Sequence, residues 1–147
     1  MSYFAKWKST SFSTNFPSAV GNNSTGITNR GLSTTWSSGR IALDFWSVRY
    51  RATTALSPQT WYHLAFVKNN GTISSTTKLY VNGQEVSGAL EGTDSIPDII
   101  DSPLIMGRLD STRWFNGNIS QVQIYNRALS AEEVLQNYNA TKARFGL

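Results

Sequence analysis

Cysteine is absent from the 147 residues, so neither a disulfide framework nor a thiolate metal site can be built, and thiol redox chemistry is excluded. Histidine occurs once, at His63. Any Ser-His-Asp or Cys-His arrangement is therefore confined to that position, and a zinc site would lack a second imidazole. His63 lies mid-strand beside Trp61 and reads as a hydrogen-bonded core or sheet-face histidine. The opening residues MSYFAKWKST hold no uninterrupted apolar run. The expectation is a chain with no signal peptide and no membrane partner, made and kept soluble in the cytoplasm. Five overlapping or separate Asn-x-Ser/Thr sites, at Asn22, Asn23, Asn70, Asn118 and Asn139, then follow from a Ser-, Thr- and Asn-rich composition alone.

Paired carboxylates at alternate positions of one strand are missing as well. Asp44 stands alone on its strand, Glu132 and Glu133 sit at a helix start where the dipole favours them, and Asp98 with Asp101 falls in a loop. A glycoside-hydrolase pair has no evident place, so no catalytic residue is assigned. Asp94, Asp98, Asp101 and Asp110 could offer oxygen ligands to calcium, but the favoured reading is a solvated acidic loop with no metal and no cofactor. The net charge of +4 is uneven: residues 1–51 carry six Lys or Arg against Asp44, and residues 85–110 carry six acids against Arg108. The basic residues are dispersed rather than clustered among aromatics, so no nucleic-acid partner is expected.

What is present is β structure. Residues 8–39 alternate short apolar groups with Ser, Thr, Asn and Gly, which suggests short strands joined by polar loops, GNNSTG being one. From Ile41 the alternation runs through Phe45 and on past Val48 to Tyr50, and reads as one long, bulged strand. TWYHLAFVK has apolar residues on both faces and predicts a central strand. KLYVNGQEV is a hairpin, with Asn82-Gly83 supplying the positive φ angles of a type I′ turn, and PLIMG is a further short strand.

In NGNISQVQIYNRALSAEEVLQNY the period changes midway. Val122 and Ile124 share one face of a strand. Then Ser130 as N-cap, Glu133 three residues on and the Leu129/Val134 pair predict a capping box and hydrophobic staple, with a short helix from Ala131. Val134, Leu135 and Tyr138 form one stripe, so the helix should pack back on the sheets. The whole reads as an all-β antiparallel sandwich of the jelly-roll type, with one short C-terminal helix and a single domain over residues 1–147.

These pieces, TWYHLAFVK, KLYVNGQEV, LIMGR and FNGNISQVQIYNRALSAEEVLQNY, together resemble the laminin-G-like, concanavalin-A-like jelly-roll domains. The ending NYNATKARFGL is similar to the C-termini of such domains in structural proteins of tailed phages, marine and cyanobacterial ones in particular. Two departures stand out: the family's opening strands ahead of YFAKW lack room here, and Ser120 and Gln121 occupy positions where many members carry acidic residues, which weakens a carried-over calcium site. The resemblance implies a non-catalytic virion structural or capsid-decoration protein, localised to the virion and acting through protein and glycan contacts. The alternatives are a lectin-like carbohydrate-binding adhesion module and, less favoured, a glycoside hydrolase. Capsid or tail proteins and surface glycans are the partners it implies, and the shortened edge suggests a homo-oligomer, a trimer for instance.

Among the aromatics, Trp7, Trp36, Trp46, Tyr50 and Trp114 are candidates for a sugar-stacking platform, with core packing the competing role. Trp114, in RLDSTRWFNG between two strands, is the one expected at an exposed rim. Trp114, Arg113, Tyr50 and Arg49 are the candidate contacts for a glycan or protein partner.

Overall fold

The computed structural model describes residues 1–8, 18–22, 33–45, 48–95, 103–109 and 113–147, without the side chains of Asn22 and Trp36. Two antiparallel sheets face each other. The first is ordered β11 (Gly117–Gln123), β1 (Ser2–Trp7), β6 (Tyr62–Lys68), β7 (Thr77–Val81), β8 (Gln84–Val86). The second is ordered β10 (Leu104–Met106), β2 (Ser18–Asn22), β3 (Ser33–Ser37), β4 (Arg40–Asp44), β5 (Arg49–Ala52), β9 (Gly88–Glu91). A single-turn helix, α1 (Ile73–Thr76), precedes β7, and α2 (Ala131–Thr141) continues into a 3₁₀ turn over Lys142–Phe145.

Alternation along each strand decides what fills the space between the sheets. Tyr3, Trp7, Leu64, Phe66 and Leu79 enter from one side and Val20, Ile41, Leu43 and Phe45 from the other, all buried. Each such large side chain contributes roughly 1.5–3 kcal/mol by leaving water. The Tyr3 hydroxyl crosses this core to donate to Thr34 Oγ1 at 2.8 Å, so that buried polar tip is satisfied.

β6 has the central position expected of TWYHLAFVK, and its second face is also covered: Ala65, Val67 and Tyr80 pack against Val134 of α2, with Ala128 and Leu129 at the margin. The helix begins as its sequence dictates. Ser130 Oγ accepts from the Glu133 N–H at 3.2 Å, while the Glu133 carboxylate accepts from the Ser130 N–H at 2.8 Å. The Asn82-Gly83 turn, with φ of 50° and 77°, sits under this helix. A Cβ on Gly83 would come 2.8 Å from Leu135 Cδ1 and 3.1 Å from the Tyr138 ring.

Two strand assignments need correction. Residues 40–52 form two strands, not one bulged strand: Phe45 N–H donates to Val48 O at 2.8 Å, and Asp44 then pairs with Arg49. The core-facing positions Ile41, Leu43 and Phe45 resume at Val48 and Tyr50 after a one-residue slip of phase, which reads the same from sequence whether the chain bulges or turns. β11 likewise ends at Gln123, leaving Ile124 exposed beyond it rather than sharing the buried face of Val122. Gln121 has φ 51°, and the register against β1 slips between Ser120 and Gln123. This bulge lets Ile119 and Val122, three residues apart, both pack on the core. Most of GNNSTG lies outside the described residues, Gly21 and Asn22 closing β2.

Candidate functional site

Trp114 is set out from the fold by its neighbour. Phe115 is buried in the core, so the adjacent residue on an extended chain must point away. The segment is tied at its base, Gly107 N–H donating to Ala19 O and Phe115 N–H to Gly107 O, each at 2.8 Å, and Leu109 N–H bonds Arg113 O at 2.9 Å. Trp114 pairs with Arg108 across this narrow excursion and is 58% exposed. The Arg108 guanidinium lies 5.3 Å from the indole centroid, a cation–π distance. Leu104 and Met106 of the edge strand β10 are exposed as well, so the rim is apolar with arginines on it.

The other two expected contacts lie elsewhere. β5 is separated from β10 by three strands, roughly 19 Å at the usual strand spacing. Arg49 and Tyr50, being consecutive, also point to opposite faces. Tyr50 turns inward against the core, its ring packed on Gly88, where a Cβ would sit 2.4 Å from Cε1. The structure thus keeps Trp114 and Arg113 together and separates them from Arg49 and from Tyr50. Trp7 is fully buried in the core, while the Trp36 side chain and Trp46 fall outside the described residues.

Arg49 belongs to a polar ladder on the outer face of the second sheet. Its Nε lies 3.1 Å from Asp44 Oδ2 and its Nη1 3.7 Å from Glu91 Oε2, and Arg51 Nη2 reaches the same Glu91 oxygen at 3.0 Å. Thr35 donates to Asp44 Oδ2 at 3.2 Å. Sequence reasoning missed this pair of carboxylates. Glu91 is 47 residues from Asp44 by subtraction of their numbers, and only the pairing of β9 with β5 brings them to one face. The Arg49 guanidinium lies between the two carboxylates and pairs with both, while Arg51 pairs with Glu91.

His63 lies on the outer face of β6 beneath the C-terminal helix. Its ring centroid is 5.0 Å from Phe4 and 5.9 Å from Tyr138, and its buried Nδ1 has no hydrogen-bond partner among the described residues. Burial pulls its pKa down to about 4, so the ring is neutral at pH 7. Asp94 accepts from the Ser74 N–H at 2.7 Å and from the Ser74 hydroxyl, which lower its pKa and dock it on α1. Asp98, Asp101 and Asp110 lie outside the described residues. Among the described residues, no three His, Asp or Glu side chains gather as a metal-ligand group.

The family model described as the concanavalin A-like lectin/glucanases superfamily matches residues 2–135. No curated protein sequence matches the chain. Among solved structures, the sialidase of Trypanosoma rangeli in complex with 2,3-difluoro-KDN superposes with a TM-score of 0.69 at 15% identity, covering 96% of this chain and 22% of that one. A "putative carbohydrate binding protein" from Bacteroides ovatus superposes with a TM-score of 0.63 at 21% identity, covering 92% and 39% respectively. This chain therefore spans less than half the length of either protein, and at these identities the likeness is one of fold. Extent of the family match and the two-sheet architecture agree: the chain belongs to the concanavalin A-like lectin/glucanases superfamily, as an antiparallel β-sandwich with one C-terminal helix.

Proposed function

We propose that this chain is a non-catalytic glycan-recognition module. The observation that carries the reading is the exposed Trp114 indole, set beside Arg108 and adjacent to Arg113, on the rim of a lectin-family sandwich. An indole face takes the C–H side of a sugar ring, and guanidinium N–H groups take its hydroxyls. The carbohydrate-binding description of the Bacteroides ovatus protein supports the reading. The arginine-bridged carboxylates Asp44 and Glu91 support the absence of hydrolysis. A glycan array followed by titration of the best ligand is the test. Trp114→Ala should weaken binding about tenfold, the equivalent of roughly 1.4 kcal/mol. A binding constant unchanged by that substitution would remove Trp114 from the site, and an array without a hit would remove the reading.

A second reading, an assembling protomer of the kind that decorates a capsid or tail, is favoured by the apolar rim of Leu104, Met106 and Trp114 at an edge strand. Such a protomer buries on the order of 1,000 Å² or more in each contact. Light scattering tests it, and a mass of 16.3 kDa at micromolar concentration would oppose self-assembly.

A further inference from the structure

A cavity of about 430 Å³ lies between the turn that follows β6 and the segment 125–129 that leads from β11 to α2, distinct from the Trp114 rim. Its apolar wall is made by Leu43, Ala65, Val67 and Leu129, and its polar wall by Asn69, Asn70, Tyr125 and Asn126. The volume falls in the range of small-molecule sites, which combine an apolar surface with a few convergent polar groups.

The state of those polar groups narrows the ligand. Asn69 Oδ1 accepts from the Asn70 N–H at 3.0 Å, which leaves the Asn69 NH₂ group to donate. The side-chain amides of Asn70 and Asn126 form no hydrogen bond within the described residues. The Tyr125 hydroxyl accepts from Asn137 Nδ2 at 2.9 Å and retains its own proton for donation. Neutral donors and acceptors are therefore present on this wall, opposite the apolar one.

The cationic groups on the wall are already engaged. Lys68 Nζ donates to Gly71 O at 2.9 Å, to Asn69 O and to Thr76 Oγ1. Arg127 is held by both oxygens of Glu133, at 2.8 and 2.6 Å. The Met1 ammonium donates to Phe66 O at 2.9 Å, and burial lowers its pKa toward the neutral amine. An acidic sugar entering here would have to compete with these partners for Lys68 and Arg127. A neutral sugar needs only amide and hydroxyl partners.

We propose that this cavity is a binding site for the terminal residue of a neutral glycan, with Asn69, Asn70, Asn126 and Tyr125 as partners of its hydroxyls. The proposal rests on the glycan-recognition reading and adds to it a second site, a half-open cleft, with a stated preference. The test is a two-dimensional ¹⁵N–¹H NMR titration with the methyl glycosides of galactose, glucose and N-acetylglucosamine, set beside N-acetylneuraminic acid. The expected result is saturable shifts at Asn69, Asn70 and Asn126 with at least one neutral glycoside, weakened at least fivefold in Asn70→Ala and in Asn126→Ala. Affinity should be nearly independent of salt, because no charge pairing contributes. Retained dispersion of the variant spectra reports that they fold. Binding that is lost in Trp114→Ala but unaffected in both asparagine variants would overturn this site and leave glycan recognition standing. Stronger shifts of these amides with N-acetylneuraminic acid would overturn the neutral-sugar assignment, and a wild-type protein that binds no saccharide would overturn both proposals.

Discussion

Acidification should unfold this protein earlier than its carboxylates alone would dictate, because of His63. The ring is held between Phe4 and Tyr138 under the C-terminal helix, with Nδ1 unpartnered among the described residues. Burial lowers its pKa from 6.5 to about 4. Between those two values the unfolded chain carries a proton on this residue that the folded chain does not, so stability falls as pH falls. Each pH unit in the window is worth at most 1.36 kcal/mol, and the full window costs about 3 kcal/mol, of which about 2 is already lost at pH 5. That is a large share of a typical domain's stability of roughly 5–15 kcal/mol. Glu133 acts lower: Arg127 holds its pKa at about 2, so the favourable contribution of its ionised form is present above 4.5 and is lost as pH falls toward 2. The range from pH 6.5 to 5 therefore lies above the carboxylates, and the buried Met1 ammonium, its pKa lowered from 8.0, adds a slope of the same sign that the His63 variant retains. Urea denaturation followed by tryptophan fluorescence at pH 7, 6 and 5 measures the slope in the wild type and in His63→Phe, which keeps an aromatic ring between Phe4 and Tyr138. The wild type should lose about 2 kcal/mol more across this range than the variant. A wild-type stability that is flat from pH 7 to 5, or a variant with the same slope, would refute the reasoning.

Three substitutions probe the scaffold. Ser130→Ala removes the hydroxyl that accepts from the Glu133 N–H and should lower stability by about 1 kcal/mol, read as a shift of the urea midpoint. Gly83→Ala puts a Cβ into Leu135 at a residue with φ 77°, and should cost roughly 2 kcal/mol or more while also detaching α2, seen as faster amide exchange over residues 131–141. Gln121→Gly relieves a left-handed non-glycine residue in the β11 bulge and should raise the thermal midpoint or leave it unchanged; a fall of several degrees would show that the Gln121 side chain holds the bulge.

The legible parts of this fold are those encoded over short spans. Asn82-Gly83 needs only two residues to specify its turn, and Ser130 to Glu133 needs four to specify the helix start; both are present as read. β6 declares its central place through apolar residues on both faces. What stayed hidden depends on distant partners or on phase. The turn between β4 and β5 is masked because core-facing residues resume beyond it after a one-residue slip that a bulge would also give, and the bulge at Gln121 is visible only once β1 sets the register. Trp114 could be placed at a rim from its loop sequence, and it is exposed there. Arg49 and Tyr50 were grouped with it by residue type, but strand alternation sends them to opposite faces and sheet order sets them three strands away. The cavity beside Asn69, Asn70 and Asn126 joins segments more than fifty residues apart by subtraction of their numbers, and no local pattern marks it.

The position of β1 bears on how the chain acquires its structure. Its residues pair on one side with β6 and on the other with β11, so Ser2 meets both Ala65 and Gln123. β1 thus waits for β11 before its sheet closes, a pairing across 121 residues by the difference of those numbers. Sheets dominated by such non-local pairings assemble in milliseconds to seconds rather than microseconds. Until Gly117–Gln123 arrives, one edge of β1 offers free backbone groups, and the uncharged run from Phe115 to Asn126 arrives with free groups of its own. Each edge, left open, offers the same pairing to a second chain as to its own partner, so the closing of β1 on β11 is the step at which copies compete.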